Sequence, residues 1–127
     1  MRLFHFFFLL TLVTGADAQN KIQEISVHQA EYLIEKNEDL LILDVRTPKE
    51  FEAGHLDNAV NINFYDKGFA DQLSALDTSK PLLIYCHSGY RSHRAIETLK
   101  KSDFKTIYDM TEGYVVWKNL KSKNNQN

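Results

Sequence analysis

The 127-residue chain carries 15 Lys and Arg against 17 Asp and Glu, a net charge of -2 with both signs interspersed. No basic stripe marks it for nucleic acid or for an acidic membrane surface, and its length allows one domain with a modest core. Its single cysteine, Cys86, excludes an internal disulfide.

The first residues read as a leader. Arg2, the apolar run from Leu3 to Val13 and the small-x-small triplet Ala16-Asp17-Ala18 make a secretory signal over residues 1–18. The run is short for a membrane span. The expectation is therefore cleavage, a periplasmic or secreted product, and no stable membrane insertion afterwards; an uncleaved N-terminal anchor is the alternative. No cysteine lies near the cut to take a lipid. In an oxidising compartment a lone thiol is either buried or used.

Residues 19–120 are expected to form the domain, with 121–127 as a polar, frayed tail. Ile22 to Val27 reads as a strand, and Ser26 can cap a helix that carries Ala30, Leu33 and Ile34 up to Lys36. Asn37-Glu38-Asp39 breaks it. Leu40 to Leu43 is a continuous apolar run, as in a strand covered on both faces, and ends in Asp44-Val45-Arg46. Thr47-Pro48-Lys49-Glu50 is a capping box with proline at the first helical position, so a short helix follows until Gly54. A turn over His55–Asn58 leads to a strand over Ala59–Ile62, and a helix is expected from Phe69 to Leu76.

Next comes Pro81 to Leu99, a stretch that reads strand, cysteine, loop, helix. Leu82-Leu83-Ile84-Tyr85 is a buried strand ending in Cys86. His87-Ser88-Gly89-Tyr90-Arg91 forms the loop, Ser92 is the expected N-cap, and Ala95, Ile96 and Leu99 carry the helix. Thr106 to Asp109 is a last brief strand. The alternation gives an α/β fold with a largely parallel sheet, and ligands in such sheets sit at the carboxyl ends of strands, where Cys86 falls.

N–H groups at a helix N-terminus lack intrahelical partners, and the helix dipole adds positive charge there. A loop curled before that helix can aim several N–H groups at an anion. Cys86 at the loop's start lies in that field, which favours thiolate over thiol, and Arg91 adds a permanent charge. The plain alternative is a buried structural cysteine at a strand end.

Three motifs carry a resemblance. Cys86-x-x-Gly89-x-Arg91-Ser92 resembles the active-site loop of rhodanese-like sulfurtransferases, in which the residues from the cysteine onward wrap a persulfide sulfur. The stretch Asp44-Val45-Arg46-Thr47-Pro48-x-Glu50-Phe51-x-x-Gly54-His55-Leu56-x-x-Ala59-x-Asn61-Ile62 resembles the family's N-terminal signature. Glu112-Gly113-Tyr114-Val115-Val116-Trp117 is similar to its C-terminal signature, from which Glu112 and Val116 depart. Phosphatase-type loops place one more residue between cysteine and arginine; here Ser92 occupies the position that their arginine would hold, and the shorter cradle suits one sulfur atom.

The resemblance implies a central, mainly parallel sheet of about five strands flanked by helices on both faces. It also implies a two-step sulfur transfer through a Cys86 persulfide, with thiosulfate or a persulfide as donor and cyanide or a thiol as acceptor, a protein acceptor included. No metal or organic cofactor is required, and His28, His55 and His93 show no ligand spacing. His87, Ser88, Gly89, Tyr90, Arg91 and Ser92 are the expected substrate-binding residues. Arg91 either stabilises the anion or pairs with an acid such as Asp44. Asp44 and Arg46 are expected as supporting residues in a structural salt bridge. Thiosulfate-using members often carry a basic residue where this chain has Ser88. Rival readings are a non-catalytic rhodanese-like module that binds an anion or a partner, and a thiol-redox protein, which would want a second cysteine.

Overall fold

The computed structural model describes residues 19–126; the expected leader over 1–18 lies outside the described residues. The elements follow in the order β1 (Lys21–Ile25), α1 (Val27–Lys36), β2 (Leu41–Asp44), α2 (Pro48–Glu52), β3 (Val60–Asn61), α3 (Phe69–Ser74), β4 (Leu82–Tyr85), α4 (Tyr90–Leu99), β5 (Thr106–Met110) and α5 (Gly113–Asn124).

Local chemistry sets the helix starts. Ser26 and Gln29 exchange hydrogen bonds in a capping box at α1, and Thr47 and Glu50 do the same at α2, where Pro48 opens the helix. Val27 N–H, at the start of α1, donates to the Glu112 carboxylate at 2.7 Å. Glu112, a departure from the family pattern, thus satisfies an orphan donor of another helix. Val116, the second departure, lies on the outer side of α5 with 37% exposure.

The strands form one five-stranded sheet in the order β1-β5-β4-β2-β3, and every pairing is parallel. Parallel strands need crossovers, and the helices that supply them cover both faces. On one face Leu43, Leu82, Ile84 and Ile107 pack with Phe69 and Leu73 of α3 and Ala95, Ile96 and Leu99 of α4. On the other, Ile42, Leu83, Tyr85 and Met110 pack with Val27 and Ala30 of α1 and Trp117 of α5. This is the expected architecture. Four consecutive buried residues in β4 follow from its central place, with β5 on one side and β2 on the other.

Several expectations shift: the first strand ends at Ile25, so that Val27 opens α1, and the strand expected over Ala59–Ile62 is reduced to Val60–Asn61. Helix α4 starts at Tyr90 with Gly89 as its N-cap, so Ser92 lies inside the first turn. Gly89 adopts φ +101°, which turns the chain into the helix without a side-chain cap. Helix α3 stops at Ser74, two residues early, in a last turn closed by Ala75 and Leu76 N–H groups bonding back to Gln72 and Leu73 carbonyls. The tail does not fray at residue 121: α5 runs to Asn124, held by an ion pair from Lys121 to Glu31 of α1, with Lys121 and Lys123 complementing the negative end of the helix dipole.

Candidate active site

The site grows from the carboxyl end of β4. Cys86 is 1% exposed, and the chain after it folds back so that the Gly89 N–H donates to the Cys86 sulfur at 3.1 Å. Only glycine allows this turn: a Cβ on Gly89 would lie 2.3 Å from the Thr111 carbonyl oxygen. Helix α4 begins at the next residue, so the sulfur lies beside the positive end of the helix dipole.

The start of α5 braces the loop from behind. Tyr114 N–H donates to the Cys86 carbonyl at 2.8 Å and Val115 N–H to the His87 carbonyl at 3.1 Å. Gly113 permits the approach, with φ +72° and no room for a Cβ, which would come within 2.3 Å of the His87 oxygen. The C-terminal motif is therefore scaffold for the cysteine loop, joined to it by backbone hydrogen bonds.

Arg91 reaches back to α2. Its Nη1 and Nη2 donate to the two Glu50 carboxylate oxygens at 2.7 and 2.9 Å, a bidentate fork. The acid is Glu50, where the sequence suggested one such as Asp44; Asp44 is already committed to Arg46. Arg91 holds the Glu50 carboxyl at about 2, against the cost of its partial burial and with help from the Thr47 hydrogen bonds. The Arg91 guanidinium is in turn held above the ordinary arginine value by the Glu50 hydrogen bonds, which outweigh its burial; the charges of Glu50 and Cys86 add to this. Arg91 is thus close enough to Cys86 to feel its charge while tied to another side chain.

Asp44 and Arg46 form the expected structural pair. The Arg46 Nη2 donates to Asp44 at 2.7 Å and to the Gly54 carbonyl at 2.6 Å, and both side chains are almost wholly buried. Burial opposes the Arg46 charge, but the hydrogen bond and charge of Asp44 raise its pKa nonetheless. Tyr114 lies under the guanidinium, 4.1 Å from ring centroid to Cζ, so the pair ties β2 to α5 as well. Asn61 donates to the carbonyls of both Asp44 and Arg46 and pins the turn to β3. Tyr85, just before the cysteine, accepts the Leu56 N–H at 3.1 Å; burial and the neighbouring Asp44 raise its pKa, so the phenol stays neutral.

His87, Ser88 and Tyr90 are exposed on the rim. Tyr90 points outward, its hydroxyl accepting from Arg94 at 3.1 Å. A groove of about 430 Å³ opens beside His87 and is lined by Arg46, Glu50, Tyr114, Lys118 and Asn119. Ser92 is fully buried; its hydroxyl lies 3.2 Å from the Gly89 carbonyl and 2.9 Å from the Asp109 carboxylate. Its place is beneath the loop. His55 stacks on Phe51 at 3.7 Å and bonds the Phe51 carbonyl, a structural part. Among the described residues no group of His, Cys, Asp or Glu is arranged to hold a metal, and no helix is long and apolar enough to cross a membrane.

Sequence reasoning passed over Glu50 as partner of Arg91, Tyr114 as support for Arg46, and Asp109. Glu50 stands in the sequence as a capping residue and a signature position, and no spacing rule links it to an arginine 41 positions away.

A Rhodanese-like domain model matches residues 26–120. Rhodanese-like domain-containing protein 17 of Arabidopsis thaliana is 33% identical over 129 aligned residues, covering 92% of this chain and 81% of the relative. Thiosulfate sulfurtransferase GlpE of Coxiella burnetii is 30% identical, covering 76% of this chain and 87% of the relative. The crystal structure of a rhodanese-related protein from Thermoplasma volcanium superposes with a TM-score of 0.66 at 23% identity, covering 77% of this chain and 92% of that one. A matching domain model, two relatives aligned over most of their length and a shared fold agree with the cysteine loop and its scaffold: the chain belongs to the family of rhodanese-like domains.

Proposed function

We propose that this protein is a sulfurtransferase that carries sulfane sulfur as a persulfide on Cys86. The observation that supports it most is the Gly89 N–H aimed at the Cys86 sulfur from 3.1 Å, at the mouth of a helix dipole. A relative named as a thiosulfate sulfurtransferase points to the same chemistry.

The Cys86 thiolate attacks the outer sulfur of thiosulfate. A sulfur–sulfur bond forms to the enzyme, the original one breaks, and its electron pair leaves with sulfite. The product is an anionic persulfide, and N–H groups from His87 through Ser92 receive it without reorganisation. Cyanide then takes the outer sulfur as thiocyanate, or a thiolate takes it as a new persulfide, and Cys86 is regenerated as thiolate. Arg91 lends its charge from its seat on Glu50. Ser88 offers no charge to the donor's sulfonate, so a thiol persulfide suits this rim better than thiosulfate. With residues 1–18 acting as an export signal, the transfer takes place outside the cytoplasm, where the exposed rim and the groove beside His87 admit small donors or a protein acceptor.

The 1% exposure of Cys86 favours a second reading, a module that binds an anion or a partner without turnover. Intact-mass measurement separates the two. The wild type treated with thiosulfate or glutathione persulfide gains one sulfur, cyanide discharges it as thiocyanate, and Cys86→Ser gains nothing. A wild-type mass that no donor changes refutes the enzyme and leaves the binding module.

A further inference from the structure

We propose that Asp109 keeps its carboxyl proton in the folded protein and donates it in a hydrogen bond to Ser92, which donates in turn to the Gly89 carbonyl. Asp109 is then a positioning residue for the anion cradle. Its effect on turnover rests on the sulfurtransferase reading; its protonation does not.

Asp109 stands on β5 beneath the loop, 1% exposed, and its Oδ2 is buried with no hydrogen-bond partner among the described residues. An ionised carboxylate there would be desolvated and half-satisfied, which is costly. Among the described residues, no Lys or Arg pairs with it. The residue beside it on β4 is the apolar Ile84, and the one on β1 is Glu24, a like charge; His93 of α4 is the one neighbour that favours the anion by charge. Burial pushes the Asp109 carboxyl up, against the opposing pull of Ser92 and His93, and Glu24 adds to the rise.

Counting hydrogens leads the same way. Ser92 has one hydroxyl proton and two oxygens in reach, Asp109 Oδ1 at 2.9 Å and the Gly89 carbonyl at 3.2 Å. With Asp109 ionised, two acceptors compete for that proton, and the Gly89 carbonyl is left with the His93 N–H alone. With the proton on Asp109 Oδ1, the acid donates to Ser92 and Ser92 donates to Gly89, so every hydrogen finds an acceptor.

The relay ends on a peptide group that matters to the site. The Gly89 carbonyl also accepts the His93 N–H at 3.1 Å, so two donors fix it along the helix. A trans peptide places the next N–H, that of Tyr90, on the opposite side. Fixing the carbonyl therefore aims the Tyr90 N–H out of the helix end into the cradle. Ionisation of Asp109 draws the Ser92 proton away and loosens that peptide.

The test is a pH titration by NMR of the labelled full chain, following the Asp109 carboxyl carbon and the Gly89 and Tyr90 amides. We expect Asp109 still to read as the acid at a pH where an ordinary aspartate is fully ionised. The two amides should shift as it ionises, and Asp109→Asn, which keeps a donor toward Ser92, should lack that component. A carboxyl already ionised at that pH, or amides that follow pH alike in wild type and Asp109→Asn, overturns the proposal. In the transfer assay, Asp109→Leu should slow persulfide formation by ~10-fold, and Asp109→Asn should recover most of that rate with a flatter alkaline arm; equal rates for the two variants also overturn it. If even the wild type takes up no sulfur, the sulfurtransferase reading fails, and the titration still decides the proton.

Discussion

The pair between Glu50 and Arg91 crosses from the first signature to the cysteine loop, and replacing Glu50 with glutamine isolates its charge. Glutamine keeps the capping box with Thr47, because an N3 amide serves that motif as well as a carboxylate. The Glu50 carboxyl lies at about 2 in the fold against an ordinary 4.5. Fully shielded, that difference would amount to ~3.4 kcal/mol. Glu50 is 33% exposed, and solvent screening brings the figure to ~1–2 kcal/mol. Because the folded value is the lower one, this stabilisation is fully present above pH 4.5 and is lost as the pH falls toward 2. Glu50→Gln should therefore lower the melting temperature by ~5–15 °C at pH 7, with the gap closing near pH 2. Thermal unfolding followed by circular dichroism at both pH values measures this. An unchanged melting temperature at pH 7, or a deficit that persists at pH 2, would refute the electrostatic reasoning. The same variant frees Arg91, so the less stable protein should have a lower KM for thiosulfate.

Gly113→Ala places a Cβ against the His87 carbonyl at a positive φ; it should cost ~2–3 kcal/mol in urea unfolding and disturb the loop resonances more than those of α3. Tyr85→Phe leaves the buried Leu56 N–H without its acceptor and should cost ~1–2 kcal/mol by the same measurement. Ser88→Lys adds a cation to the rim beside the cysteine, so it should lower the KM for thiosulfate by ~3–10-fold at low salt, an advantage that fades as ionic strength rises. A salt-independent change would assign the effect to loop conformation.

Much of the site was legible because its parts are local. Cys86 and Gly89 stand three positions apart on one turn, and the Gly89 N–H does meet the sulfur. Asp44 and Arg46, two apart at a strand end, pair as expected. Ser92 misled for a local reason too: serine is a good N-cap, but Gly89 at φ +101° had already turned the chain. A glycine cap has no side-chain signature to distinguish it from an ordinary loop glycine.

The chain by itself determined the alternation of strands and helices, the apolar β2 and β4 at the sheet's centre, the Ser26 cap, the Thr47–Glu50 capping box and the cysteine at a strand's carboxyl end. These depend on spacing of a few residues, where backbone geometry leaves few choices. Only the tertiary structure decided that Arg91 binds Glu50, that Glu112 completes the start of α1, that α5 braces the loop through Tyr114 and Val115, and that Asp109 lies buried beneath Ser92. Each of these joins distant segments that meet because the parallel sheet gathers their ends at one edge. Which polar groups then lack water, and must find each other, is a property of the packed molecule.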